Sequence, residues 1–164
     1  MDRVGSGWRI TRCLITDVDA ARLVEEVQQV YVALYGNRDE TPIPPGYFEE
    51  PQGAFFVGYL DGVPVATGAW HRRTDVTALG SSATAEIKRM YVAPPGRGQG
   101  LARAVLAHLE ETAARAGAEV MVLETGLEQP EAIALYRSSG YEAIPGFGYY
   151  RDSPLNRCFA RRVG

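Results

Sequence analysis

A chain of 164 residues that is 46% hydrophobic and 23% charged has the apolar content for one sizeable core and too little length to argue for two domains, so a single domain over residues 1–164 is expected. The formal charge of −3 gives no general field for nucleic acid or an anionic membrane, and no apolar run approaches the ~20 residues needed to span a bilayer. Cys13 and Cys158 are too few for a disulfide scaffold and are not spaced as a metal knuckle, and residues 1–5 lack the apolar region of a signal peptide; a cytoplasmic protein without a metal is expected.

From Trp8 to Ile15 apolar and polar side chains alternate, the period of a half-buried strand. Asp17 then precedes a helical stripe of Leu23, Val24, Val27, Val30, Tyr31 and Leu34, which Gly36 ends. Residues 37–51 turn to Pro, Gly, Asp and Glu, a loop that either covers a substrate site or is simply mobile surface. Two strand-like runs, 54–60 and 63–71, flank Asp61-Gly62, a strong hairpin signal. After another loop, residues 84–92 read as a third strand.

Beyond a proline and glycine turn, Leu101, Val105 and Leu109 recur every four residues, giving a helix that Gly117 stops. Residues 119–124 form a short strand, parallel to 84–92 because a helix separates the two. A second helix opens near Pro130, with Ala132, Leu135 and Tyr136 on one face, and closes at Ser139-Gly140. Residues 141–144 and 157–161 are the last strands, joined by a stretch containing Phe147, Tyr149 and Tyr150, which either wall an acceptor pocket or pack as core aromatics of a hairpin.

The turn from strand to helix, Pro94-Pro95-Gly96-Arg97-Gly98-Gln99-Gly100-Leu101-Ala102-Arg103, leaves several backbone N–H groups converging on one spot that suits an anion. A dinucleotide fingerprint fails because position 103 is Arg where the third glycine is needed, and no Gly-Lys-Ser/Thr of a P-loop occurs. Arg97, Gly100 and Ala102 instead fill the positions of Gln/Arg-x-x-Gly-x-Gly/Ala. The chain thereby resembles the GNAT superfamily of N-acetyltransferases, whose acyl-CoA signature this is, and Leu135-Tyr136 ahead of Gly140-Tyr141 resembles the family's second signature.

The resemblance covers nearly the whole chain. It implies a mixed α/β fold with a central, mostly antiparallel sheet flanked by helices and two splayed parallel strands at its centre. It also implies acetyl transfer from acetyl-CoA to an amine acceptor, with no nucleic-acid or membrane partner and with a homodimer open. A small-molecule amine is the first expectation; protein lysine or N-terminal acetylation and a non-catalytic acyl-CoA-binding module are the alternatives. An alkyl ammonium must lose a proton before it attacks a thioester, so a base is needed, acting directly or through a chain of water. Glu86 resembles the family's base, its other reading being a salt-bridged strand carboxylate, and His71 is a substitute. Tyr136 resembles the acid that protonates the departing thiol, or is a packed aromatic. The resemblance further implies that Met90 and Val92 offer backbone bonds to the pantetheine arm and that Gly98, Gln99, Gly100, Leu101 and Ala102 form the pyrophosphate loop. Arg97 adds charge; Arg103 either adds charge or lies on a solvated face. Gln129 stands where the family often has Asn, and His108 sits among ordinary helix-surface residues.

Overall fold

The computed structural model describes residues 7–164; residues 1–5, on which the reading of the N-terminus rests, lie outside them. The first strand, β1 (Trp8–Cys13), is followed by helix α1 (Val18–Tyr35). Asp17 is its N-cap residue, although its carboxylate accepts from the backbone N–H of Leu14 at 3.1 Å rather than from the helix. Gly36, at φ 82°, closes the helix by donating to Val32 O.

Strands β2 (Gly53–Leu60) and β3 (Val63–Arg73) form the expected hairpin. Both turn residues, Asp61 at φ 50° and Gly62 at φ 82°, take the positive values that match strand twist in a two-residue turn. Next come β4 (Thr84–Val92), a single 3-10 turn (Pro94–Gly96), α2 (Leu101–Arg115), β5 (Val120–Gly126), α3 (Pro130–Ser138), β6 (Glu142–Ile144) and β7 (Asn156–Arg162). The strands make one seven-stranded sheet in the order β1-β2-β3-β4-β5-β7-β6. Only β4 and β5 run parallel; the other pairs are antiparallel.

Each face of the sheet carries its own core. Val105, Leu109 and Ala113 of α2 pack on Ala66, Trp70, Ala85 and Ile87, and Trp70 Nε1 donates to Thr112 Oγ1 at 3.0 Å. On the other face Ala20 and Leu23 of α1 meet Phe55, Val57, Ala69 and Phe48, the last from the 37–51 loop. Leu109 is fully buried, so truncating it to Ala would cost about 2–5 kcal/mol.

Two irregularities create the site. Pairing of β4 with β5 lasts only for Thr84↔Val120, Ala85↔Met121 and Glu86↔Val122. Beyond that, β4 continues against β3 as far as Val92, and β5 continues against β7 as far as Gly126. A V-shaped gap opens between them. The second irregularity is a bulge: between the pairs Thr67↔Tyr91 and Ala69↔Lys88, Gly68 of β3 faces both Arg89 and Met90 of β4. Arg89 takes φ 58°, and the alternation of the strand is reset. Ala85 and Ile87 point to the α2 core, and past the bulge Met90 and Val92 do so.

Candidate active site

The gap between β4 and β5 is the floor of a cavity of about 660 Å³ that runs to the glycine-rich turn. Ala93 N–H donates to Val65 O of β3 at 2.7 Å, so by strand alternation the backbone groups of Val92 face the gap, where Val92 O accepts Arg97 Nε at 3.1 Å. Met90 follows the same parity two residues earlier, and both residues line the cavity. Gly98 and Gly100 both sit at φ 76°, and Gly100 is the N-cap residue of α2. A Cβ on Gly98 would meet nothing within 4 Å, so the turn needs glycine there for its backbone angle alone.

At the start of α2 the bond from Ala104 N to Gly100 O leaves the amides of the preceding turn without helical acceptors, on residues that line the same cavity. Arg97, Gly98, Gly100, Leu101, Ala102 and Arg103 line it. Gln99 is the exception: its side-chain amide turns back to Pro95 O at 3.4 Å and it lines neither cavity of the site. Arg103 reaches across to α3, donating to Ser138 Oγ at 2.6 Å and Ser139 Oγ at 3.2 Å, so it does not lie on a simply solvated face. This cradle of small residues, unpaired amides and an arginine fits a pyrophosphate.

Tyr136 lies on α3 and lines the same cavity, 5% exposed, its ring edge-on to Tyr141. Burial, with Tyr31 nearby, raises its phenol well above the ordinary value, so the hydroxyl stays protonated at neutral pH. Gln129 lines the wall between the turn and β5, donating through Nε2 to Tyr35 OH at 3.2 Å.

Glu86 lies elsewhere. It is 2% exposed on the α1 face, and its Oε1 receives His71 Nε2 at 2.9 Å and Arg73 Nη1 at 2.7 Å. Arg73 also forms a bidentate pair with Asp75, and the His71 ring stacks on Tyr47 at 3.8 Å. Burial pushes the Glu86 carboxyl up, but the His71 hydrogen bond, the Lys88 charge and Arg73 outweigh it and hold the group below its usual value. Neither Glu86 nor His71 lines either cavity. His108 is also remote, its ring edge-on to Phe56 at 4.6 Å.

A second cavity, about 310 Å³, adjoins the first, with Tyr31, Asp39, Lys88, Glu124, Thr125 and Gln129 lining both. Glu124 is the residue that the sequence reading missed. Register accounts for its position: two residues past the last paired residue, Val122, it stands on the α1 face at the opening of the gap, opposite Lys88, two residues past Glu86. Its Oε2 accepts from Asn156 Nδ2 at 3.0 Å and from the backbone N–H of Tyr150 at 3.3 Å, whereas Oε1 is buried without a partner. Burial, and then the charge of Glu86, raise its carboxyl above the usual value despite Lys88 and Asn156. A carboxylate whose proton affinity is raised by burial is a candidate base, although Oε1 itself is sealed from solvent beside Gly148. The signal available in the sequence was an acidic residue ending an otherwise apolar strand, at the position where parallel neighbours part.

The 37–51 loop closes the second cavity through Asp39. Its carboxylate accepts Arg89 Nη1 at 2.6 Å, Thr41 Oγ1 at 2.7 Å and Tyr150 OH at 3.0 Å, and its backbone is held by Gln28. Of the aromatic stretch, Tyr150 lines the cavity, Phe147 lies under Arg73, and Tyr149 is half exposed.

Comparison with known proteins follows this geometry. The family model for the acetyltransferase (GNAT) family matches residues 21–141. An IAA acetyltransferase of Azospirillum brasilense is 32% identical over 135 residues, 82% of this chain and 84% of that protein. Among solved structures, a Klebsiella pneumoniae protein provisionally named an acyl-CoA N-acyltransferase superposes with a TM-score of 0.79 at 27% identity, covering 98% of this chain and all of that one. A Salmonella typhimurium protein provisionally named an acetyltransferase, solved with its cofactor acetyl-CoA, has a TM-score of 0.66 at 21% identity, covering 97% and 95%.

Proposed function

The chain belongs to the GNAT acetyltransferase family and is an acetyl-CoA-dependent N-acetyltransferase; from that premise we propose that its acceptor is the primary amine of a small molecule, attacked directly in a ternary complex with Glu124 as base and Tyr136 as acid. The observation that carries this reading is the pair of adjoining cavities, one ending in an anion cradle and both lined by Glu124 where β4 and β5 part. A cavity of about 310 Å³ suits a metabolite-sized acceptor, and the relative named as an IAA acetyltransferase supports a small molecule over a protein.

Acetyl-CoA supplies the thioester acetyl group. The chain's own part begins at the pyrophosphate, held by the amides of Gly98, Gly100 and Ala102 with Arg97 adding charge, while the backbone of Met90 and Val92 offers strand-like bonds in the gap. Glu124 takes a proton from the ammonium, leaving the nitrogen lone pair to attack. An N–C bond forms as the C–S bond breaks, and the sulfur takes the Tyr136 phenolic proton. Tyr136 recovers a proton from the acylated nitrogen, and that of Glu124 passes to solvent. Glu86 is assigned to support, fixing β3 to β4 through His71 and Arg73 and adding to the negative potential at Glu124.

A cytoplasmic setting is supported by two cysteines that are both free thiols, and among the described residues no helix is long and apolar enough to cross a membrane. A homodimer rests on the family resemblance alone. The test is acetyl-CoA turnover against a panel of small amines and lysine peptides. Acetylation of small amines that Glu124→Gln abolishes is the expected result; turnover of peptides alone would reject the acceptor assignment.

A further inference from the structure

The buried charges that line the second cavity are compensated from within the protein. Arg38 is held by both oxygens of Glu25 at 2.9 and 2.7 Å, Asp39 accepts Arg89 Nη1 at 2.6 Å, and Lys88 lies 3.6 Å from Asp39 and 3.4 Å from Thr41 Oγ1. Glu124 spends Oε2 on Asn156 and the Tyr150 N–H, and its Oε1 is sealed beside Gly148. Glu40 is exposed to solvent, where pairing gains little.

What the same cavity offers is apolar surface. The Tyr35 hydroxyl accepts from Gln129 Nε2 at 3.2 Å, and that of Tyr150 donates to Asp39 Oδ1 at 3.0 Å and accepts from the Glu40 N–H at 2.9 Å. The polar end of each is engaged, so the ring is what remains for a ligand. Leu155, 43% exposed, lines the same space, and Tyr31 adds a ring shared with the first cavity. Tyr35 is also a fixed wall. It is the last residue of α1, seated on the bare backbone of Gly126 at the end of β5, where a Cβ would fall on the tyrosine's hydroxyl and ring. A glycine ending one element and a tyrosine ending another thus serve a single contact.

A second ionised group on an acceptor would lose its water here and find no desolvated counter-charge left to pair with it. An uncharged chain or ring would instead gain with each methylene it takes out of water. On this basis, and resting on the small-amine reading above, we propose that the acceptor is a primary amine carried on an uncharged apolar body, which lies against Tyr35 and Leu155 while the amine meets the thioester where β4 and β5 part. Tyr35 is then the specificity-determining residue.

The test measures release of the CoA thiol at fixed acetyl-CoA with ethylamine, butylamine, phenethylamine, β-alanine and putrescine. Butylamine and phenethylamine are expected to show KM values about tenfold or more below that of ethylamine, from the methylenes they bury. β-Alanine and putrescine should show no gain over ethylamine. Tyr35→Ala should bring the ratio of ethylamine to butylamine KM toward one, and Tyr35→Phe, which keeps the ring, should retain it. Leu155→Ala, at an exposed position on which folding does not depend, should lower the same ratio. Equal KM values for ethylamine and butylamine in the wild type, a β-alanine or putrescine KM below that of butylamine, or a ratio undiminished in both Tyr35→Ala and Leu155→Ala overturns the proposal. Turnover of β-alanine or putrescine alone overturns it while leaving the small-amine reading standing; no turnover of any amine overturns both.

Discussion

Oε1 of Glu86 lies 2.9 Å from Nε2 of His71 and 2.7 Å from Nη1 of Arg73, so the glutamate that resembles a family base is a buried, doubly hydrogen-bonded carboxylate that lines neither cavity. Substituting Glu86 therefore acts first on stability. Glu86→Gln should cost roughly 3 kcal/mol, because it leaves buried His71 without its carboxylate and Arg73 with Asp75 alone. Its kcat should fall far less than that of Glu124→Gln. Chemical denaturation beside steady-state kinetics checks both, and a Glu86→Gln protein of normal stability with abolished turnover would return the base role to Glu86.

Loss of the Glu124 carboxylate should lower kcat by about 10²–10⁴, the usual contribution of a positioned base. The raised carboxyl adds a pH signature. A base must be ionised, so the acid limb of kcat/KM should fall at a pH above the ordinary glutamate value of about 4.3 and vanish in Glu124→Gln.

Tyr136→Phe keeps the ring and its edge-on packing with Tyr141 but removes the proton. A decrease of about 10–100-fold in kcat with little change in thermal midpoint is expected. Equal losses in activity and stability would mark the tyrosine as packing only.

Asp39 ties the 37–51 loop to β4, and Asp39→Asn should destabilise by roughly 3 kcal/mol at neutral pH because Arg89, 4% exposed, loses its counter-charge. Burial pushes the Asp39 carboxyl up, but Lys88, Thr41 and Arg89 together hold it well below the usual carboxylate range. A folded value below the unfolded one means that its contribution is full above about pH 3.9 and is lost as pH falls through the folded value. The gap between wild type and Asp39→Asn should therefore narrow in acid, as thermal melts from neutral pH downward would record.

Gly98→Ala tests the cradle, because nothing crowds the new methyl group and the cost comes from φ 76° alone, about 1–2 kcal/mol. If the turn holds the pyrophosphate, the KM for acetyl-CoA should rise in parallel while that for the amine changes little.

Sequence alone carried most of the architecture because its signals are local. Asp61-Gly62 has the chemistry of a two-residue turn, Leu101, Val105 and Leu109 have the period of a helix face, and glycines at 98 and 100 suit positive φ; each appears where it was expected. The glycine-rich turn is likewise contiguous in the chain, so its motif was readable, and Tyr136, from a compact motif, lines the cavity that runs to it.

What lay beyond local pattern was the meeting of distant strands. Simple alternation puts Glu86, Lys88, Met90 and Val92 on one face; the bulge at Arg89 sends Met90 and Val92 to the α2 side, and it exists because Gly68 of another strand faces two residues. The role of Glu124 depends on the residue at which β5 leaves β4 to follow β7, a pairing choice over more than thirty residues of sequence. The enclosure of Glu86 depends on His71 and Arg73, brought in by the neighbouring strand. The sequence by itself determined the elements, their order and the glycine-rich turn at the start of α2. Tertiary pairing decided which carboxylate stands at the cavity, because burial and hydrogen-bond partners, and not residue type, set how strongly a glutamate holds its proton.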